Sequence, residues 1–441
     1  MSIGWITVAM FGSMIVLLAL GLPLAFVTGL IGVVFTVGLF GLDGLQLVGS
    51  RIFTFMNEYV LVSVPMFIMM ASVMERSGVA RDLFTAMRVW AGRLPGGLAI
   101  QTMIAATLMG AMTGIIGGEI VLLGLIALPQ MLRLGYDRRL AIGTICAGGS
   151  LGTMIPPSIV LVIYGLTVNV SVGDLFTANL VPGLILSAVY MGYIFVRCRI
   201  DPRLGPPAPE EERNVPLRHK LALLGSLALP SLVVMLVLGT IYLGIASVTE
   251  AAAMGVVGTL AAAAFRRELR WSIVRDAARQ TMTTCGMLLW LSFGATAMIG
   301  VYNLAGGPAF VKEIITGLPL PPLAIVFVMM AILVVLGCIM DWVGICLLTM
   351  PVFVPIITAM GFSPVWFGVL FCLNMQISYL SPPFGPAAFY LKGVAPPDIT
   401  LNEIFSAVWP FIGLQAAVLA LVVFYPALAL WLPGLAVQVV P

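Results

Sequence analysis

Apolar residues in this chain fall in long unbroken runs, with too few polar positions between them for the stripes of a soluble core. A helix needs about 20 mainly apolar residues to cross a bilayer, and that length divides the chain into spans. The first runs from Trp5 to Leu22, and Pro23 turns the chain into a second that ends near Leu42. A short polar piece with Asp43, Arg51, Asn57 and Glu58 leads to a third span, Tyr59 to Met74. From Glu75 to Pro95, Arg76, Arg81, Arg88 and Arg93 alternate with Leu83, Phe84 and Trp90, the pattern of an amphipathic helix on the membrane surface. Gly96 to Leu132 holds two short apolar arms split at Thr113–Gly118, which predicts a re-entrant hairpin. The next span starts at Tyr136, is interrupted by Pro156-Pro157 and finishes over Ile159 to Leu166; another covers Leu180 to Val196. A hydrophilic loop runs on to Lys220.

The second half repeats this order. Spans are expected over Leu221–Leu243, Val248–Phe265 and Met282–Val301, with a basic surface helix at Arg266–Arg279. A second hairpin covers Pro322–Met360, a span from Val365 is broken at Ser381-Pro382-Pro383, and a last span runs from Ile404 to Leu432. An offset of 226 residues lays Pro129 on Pro355, Cys146 on Cys372, Pro156-Pro157 on Pro382-Pro383, and Gly29 and Gly32 on Gly255 and Gly258. With both hairpins entering and leaving on one side, 19 of the 21 Lys and Arg residues share a face, leaving Arg51 and Lys312 opposite. The positive-inside rule makes that face cytoplasmic and both termini periplasmic. Five crossings per half then require the halves to be inverted, so the expected fold is an all-α polytopic inverted repeat with two re-entrant hairpins and two Pro-Pro-broken helices. Residues 1–95 and 221–320 would supply outer spans, residues 96–199 and 321–441 the two hairpin-bearing halves, and residues 200–220 a cytoplasmic linker.

Composition sharpens this only slightly. The chain has 441 residues, of which 61% are hydrophobic and 9% charged, against roughly 25% charged in soluble domains. No basic residue precedes the first apolar run, so no signal peptide is expected, and no basic stripe suits nucleic acid. The six cysteines form no CxxC pair and read as small buried residues. Gly148-Gly149-Ser150-Leu151-Gly152 matches a serine-nucleophile pattern, but the only histidine, His219, lies in the hydrophilic loop. An intramembrane protease is therefore disfavoured, and no Walker, HExxH or haem motif appears. A non-enzyme driven by an ion gradient or by another chain is expected.

Inverted repeats with discontinuous helices are the architecture of secondary transporters. Breaks at mid-membrane free carbonyls for a cation and helix N-termini for an anion. One sodium site would combine Thr113 and Gly114 with Gly149, Ser150, Gly152 and Thr153; the second would combine Gly337 and Asp341 with Gln376, Ser378 and Ser381. Gly117, Glu119, Asn374, Pro156 and Pro382 are candidates for the substrate site between them. The competing reading is that these small residues only let helices cross. Likewise Glu119, Glu250 and Asp341, acids within apolar sequence, each stand where a helix starts and suit capping as well as function. For Glu250 the cap is the favoured reading.

Several stretches together resemble the large membrane (M) subunit of TRAP transporters: Arg133-Leu134-Gly135-Tyr136, residues 149–158, Thr249-Glu250-Ala251-Ala252-Ala253, residues 336–341, Phe367-Gly368-Val369 and Ser381-Pro382-Pro383-Phe384-Gly385. The resemblance implies a sodium-coupled elevator in the bacterial inner membrane. It also implies a separate small four-helix Q subunit, a soluble periplasmic substrate-binding protein and an organic-acid substrate. The first tip reads Thr113-Gly114-Ile115-Ile116-Gly117-Gly118-Glu119, unlike the serine-rich tips of many members, which leaves the acid open. A stand-alone sodium/dicarboxylate-type anion symporter is the alternative.

Overall fold

The computed structural model describes residues 2–78, 83, 94–114, 116–207, 225, 228–317 and 319–436, and among these every regular element is a helix. Helices α1 (Ile3–Ala19), α2 (Leu24–Phe40), α3 (Gly44–Met56) and α4 (Ser63–Arg76) open the chain, with a 3-10 turn at Tyr59–Val62. The surface helix expected over residues 75–95 lies mostly outside the described residues. Two short arms, α5 (Gly97–Thr113) and α6 (Gly118–Arg133), form the first hairpin, followed by α7 (Arg138–Ser150), a 3-10 turn at Leu151–Thr153, α8 (Ile159–Val168) and α9 (Val172–Ile200). The second half holds α10 (Ala228–Tyr242), α11 (Val248–Phe265), α12 (Trp271–Leu304), α13 (Gly307–Thr316), α14 (Pro322–Gly337), α15 (Trp342–Ala359), α16 (Pro364–Leu380), α17 (Pro386–Lys392), α18 (Leu401–Phe424) and α19 (Ala427–Ala436). Six stretches of helix among the described residues are long and apolar enough to cross a membrane.

Both pairs of short helical arms and both helix breaks stand where the apolar pattern expected them; three neighbouring elements do not. Residues 43–58, read as a polar piece, form α3, an amphipathic helix that ends when the Asn57 side chain donates back to the Phe53 carbonyl at 2.7 Å. Residues 266–279, read as a separate surface helix, become a short turn and the first turns of α12, which is 34 residues long. No glycine or proline lies between Trp271 and Cys285, so nothing stops the helix from running on. The expected span over residues 404–432 is split at Tyr425-Pro426, because Pro426 has no amide to donate into the ladder.

Helix ends are closed locally. The Asp137 side chain accepts the Leu140 amide at 2.9 Å. Ser247 and Glu250 form a reciprocal capping box, with Ser247 N donating to Glu250 Oε2 at 2.8 Å. Helix crossings rely on small residues, which let backbones approach without a hydrophobic drive from lipid. A methyl group on Gly294 of α12 would lie 2.4 Å from the Ala25 carbonyl oxygen, and one on Gly32 of α2 would lie 2.8 Å from Ala297. A methyl group on Gly255 of α11 would lie 2.5 Å from the Met70 sulfur on α4. The interior is held by two crossing ties: Tyr164 OH on α8 donates to the Pro364 carbonyl at 2.7 Å, and Trp366 Nε1 donates to Val422 at 3.0 Å.

Gly294→Val should therefore destabilise the fold by about 1–3 kcal/mol, the usual cost of overpacking. Gly12→Ala, where nothing stands within 4 Å of the added methyl, should be neutral. Thermal unfolding in detergent checks both; equal melting of the two variants would refute close packing at Gly294.

Candidate functional site

The two hairpin tips and the two helix breaks come together inside the protein. At the first tip α5 ends at Gly114, whose φ of 64° is left-handed, and a side chain there would sit 2.4 Å from the Pro157 carbonyl oxygen. The Gly114 carbonyl accepts the Ile159 amide at 3.4 Å, joining tip to broken helix. Thr113 Oγ1 donates to Glu119 Oε1 across the tip. The Glu119 carboxylate rests on the backbone of Gly152, and Gly149 stands against Ile120. Ser150 Oγ donates to the Ala147 carbonyl at 2.8 Å, and Thr153 Oγ1 to Ser150 at 3.1 Å. The first group of sequence candidates is thus gathered in one place.

The second tip, residues 338–341, packs on α16. Gly337 faces the Ser378 hydroxyl so closely that any side chain would overlap it. Ser378 Oγ donates to the Asn374 carbonyl at 3.3 Å and Ser381 Oγ to Ile377 at 2.8 Å. Asn374 Nδ2 donates to the Met330 carbonyl on α14 at 2.9 Å. Asp341 caps α15 through the Val343 amide at 3.1 Å and makes no hydrogen bond to Gln376, Ser378 or Ser381. Glu250 is engaged in its capping box with Ser247. Pro156 and Pro382 lie in the breaks themselves, each joined to the following proline by a cis bond.

The two groups are not separate. Gln376 Nε2 donates to Thr153 Oγ1 at 2.7 Å, and Cys372 Sγ donates to the Thr153 carbonyl at 3.2 Å. Asn179 of α9 donates to the carbonyl of Met154. Around this junction Asn179 Oδ1, Asn374 Oδ1, Gln376 Oε1 and Glu119 Oε2 are buried without a hydrogen-bond partner. Buried polar atoms left unpaired are costly, and oxygen donors of this kind suit a small hard cation. The described residues therefore fit sodium by donor type.

Beside the first tip lies a polar cavity of about 310 Å³, lined by Ser72, Glu75 and Arg76 of α4, Thr113, Gly117 and Glu119 of the hairpin, Gln280 and Thr284 of α12, and Tyr390 of α17. Sequence reading missed it. Glu75 and Arg76 were expected to begin a surface helix; they form the last turn of α4, with Glu75 against Gly118. The one available signal was a carboxylate directly at the end of an apolar run. Gln280, Thr284 and Tyr390 reach the cavity only through tertiary packing.

This is the interior of a multi-pass helical membrane protein whose interrupted helices converge on buried polar groups. The chain belongs to the tripartite ATP-independent periplasmic transporter family, DctM component, whose family model matches residues 11–428. It is 31% identical over 400 residues to the C4-dicarboxylate TRAP transporter large permease DctM of Pseudomonas aeruginosa, covering 90% of this chain and 92% of that one. It is also 31% identical to the ectoine/5-hydroxyectoine large permease UehC of Ruegeria pomeroyi, covering 85% and 86%. Among solved structures, the Alcanivorax borkumensis YdaH transporter shares the fold with a TM-score of 0.63 at 16% identity, covering 97% of this chain and 100% of that one.

Gln376→Leu and Thr153→Val should each lower stability by about 1–3 kcal/mol, because each strips a buried partner. The double variant should lose less than their sum, since the two residues share one bond. Strict additivity in thermal unfolding would mean that the contact carries no coupling.

Proposed function

We propose that the chain is the large permease subunit of a sodium-coupled importer for an organic acid, working as an elevator in the bacterial inner membrane. The observation that carries this reading is the pair of helix breaks meeting at Thr153 and Gln376 amid unpartnered buried oxygens. Discontinuous helices at mid-membrane are tolerated where they bind an ion or line a wet cavity. Sodium would be a co-substrate, held by the first group (Thr113, Gly114, Gly149, Ser150, Gly152, Thr153) and the second (Gly337, Asp341, Gln376, Ser378, Ser381). The acid would enter from the polar cavity beside Glu119.

An inverted repeat is supported by the 226-residue offset, which lays α1 on α10, α2 on α11, and each hairpin and broken helix on its counterpart. The outer helices would be the scaffold and the hairpins with the broken helices the moving part. The family's tripartite character supports two partners, a small four-helix membrane subunit and a periplasmic binding protein. The charge split supports periplasmic termini, a feature that cysteine labelling of intact cells reads directly. A probe on a single cysteine at position 213 should be excluded and one at position 440 reached; the reverse labelling would invert the topology.

Uptake into proteoliposomes, with and without the binding protein, tests the rest. It should require a sodium gradient with a Hill coefficient above one. Asp341→Asn keeps a cap of similar strength but removes a charge, so folding should be normal while apparent sodium affinity falls about tenfold, or roughly 1.4 kcal/mol. Wild-type sodium activation in this variant would reduce Asp341 to a helix cap. Proton-driven uptake indifferent to sodium would overturn the coupling.

A further inference from the structure

The cavity beside the first tip carries an unusual charge set for a chain that handles acids. Its ionisable groups are two carboxyls, Glu75 and Glu119, and one guanidinium, Arg76. Both carboxylates are held at the same tip: Glu75 lies against Gly118 and Glu119 against Gly152. Glu119 is 1% exposed, and only its Oε1 has a partner, Thr113; Oε2 has none. Arg76 uses Nε on Ser72 Oγ at 3.3 Å, which leaves the terminal nitrogens of its fork for a ligand. Gln280, Thr284 and Tyr390 add neutral polar groups, and Ile68, Ala71, Ile116, Val121 and Met287 supply apolar wall.

The repeat makes this set specific to one side. At the 226-residue offset Glu75, Arg76 and Glu119 correspond to Val301, Tyr302 and Ile345, all buried. Nothing in the shared architecture demands three ionisable side chains at this position, so they report on what this cavity receives.

We propose that the cavity binds the transported solute and that this solute is zwitterionic, an organic acid bearing a cationic nitrogen. This deepens the reading that the chain transports an organic acid, and rests on it. The solute's carboxylate or sulfonate takes the Arg76 fork, whose planar donors match such groups. Its cationic nitrogen takes the Glu75 carboxylate, with the unpartnered Glu119 Oε2 as a further acceptor. A dicarboxylate would set its second carboxylate against Glu75, and that like-charge juxtaposition disfavours it. A volume of about 310 Å³ suits a small solute.

Matched solutes test this on the purified permease with its small subunit, reading the thermal unfolding midpoint during titration in potassium chloride and again in sodium chloride. Taurine is compared with isethionate, and γ-aminobutyrate with glutarate; each pair differs in the cationic nitrogen. The zwitterion of each pair should bind at least tenfold more tightly. Glu75→Gln should weaken it at least tenfold and narrow the gap to its partner, and Glu119→Gln should act in the same direction. Glu75 ends α4 on the exposed side, so its variant carries the test if Glu119→Gln does not fold. Equal or tighter binding of the acids lacking nitrogen, no response to any zwitterion, or indifference to Glu75→Gln would overturn the proposal. Acid binding that appears only in sodium chloride and vanishes in Glu75→Gln would assign the carboxylates to the ion and overturn it too. No gradient is needed, so a failure here is distinct from a failure of sodium-driven uptake.

Discussion

Lipid offers backbone amides and carbonyls no partner, and the architecture depends on that constraint. An interrupted helix at membrane depth survives only if other protein groups take over the hydrogen bonds that the interruption releases. Here the interruptions serve one another. The Gly114 carbonyl at the first tip accepts from Ile159 just past the first break, while Ser158 and Cys372 both donate to the Thr153 carbonyl. Asn179 covers Met154, and Asn374 reaches across to Met330. Tips and breaks form a single polar centre in which few groups can change without exposing a neighbour.

The same constraint explains why small residues recur around that centre. Gly149, Gly152 and Gly337 stand where a side chain would overlap Ile120, Glu119 or Ser378. Bare backbone brings carbonyls and carboxylates to within reach of each other, an arrangement that packing requires and that the proposed ion binding would use. Asp341 shows a similar overlap, since a carboxylate that caps α15 also brings charge to the second tip.

The halves are alike in plan but not in detail. The second carries one continuous helix, α12, where the first is interrupted at Asn57-Glu58 between α3 and α4. The first ends its counterpart in Glu75-Arg76 beside the hairpin tip, whereas the second has buried Val301 and Tyr302 there. Under the proposed repeat, a shared skeleton carries different side chains, and the polar cavity lies at the first tip.

Most of the helix order, the two pairs of short helical arms and both helix breaks were legible in the chain itself, because apolar run length and Pro-Pro interruptions are local properties read directly against bilayer thickness. The capping role of Glu250 was legible for the same reason, its partner Ser247 being three residues away. Where α12 starts was not, since charged residues in a basic segment look alike whether they continue a helix or lie on a surface. The bond between Thr153 and Gln376, 223 positions apart, joins the two groups of residues that the chain suggested as two sites. The cavity formed by Glu75, Gln280 and Tyr390 likewise exists only once α4, α12 and α17 pack around the first tip. Local sequence determines where helices must begin, break and turn, because those limits come from backbone hydrogen bonding. Which broken end faces which, and which charges share a cavity, is decided by side-chain packing between distant segments.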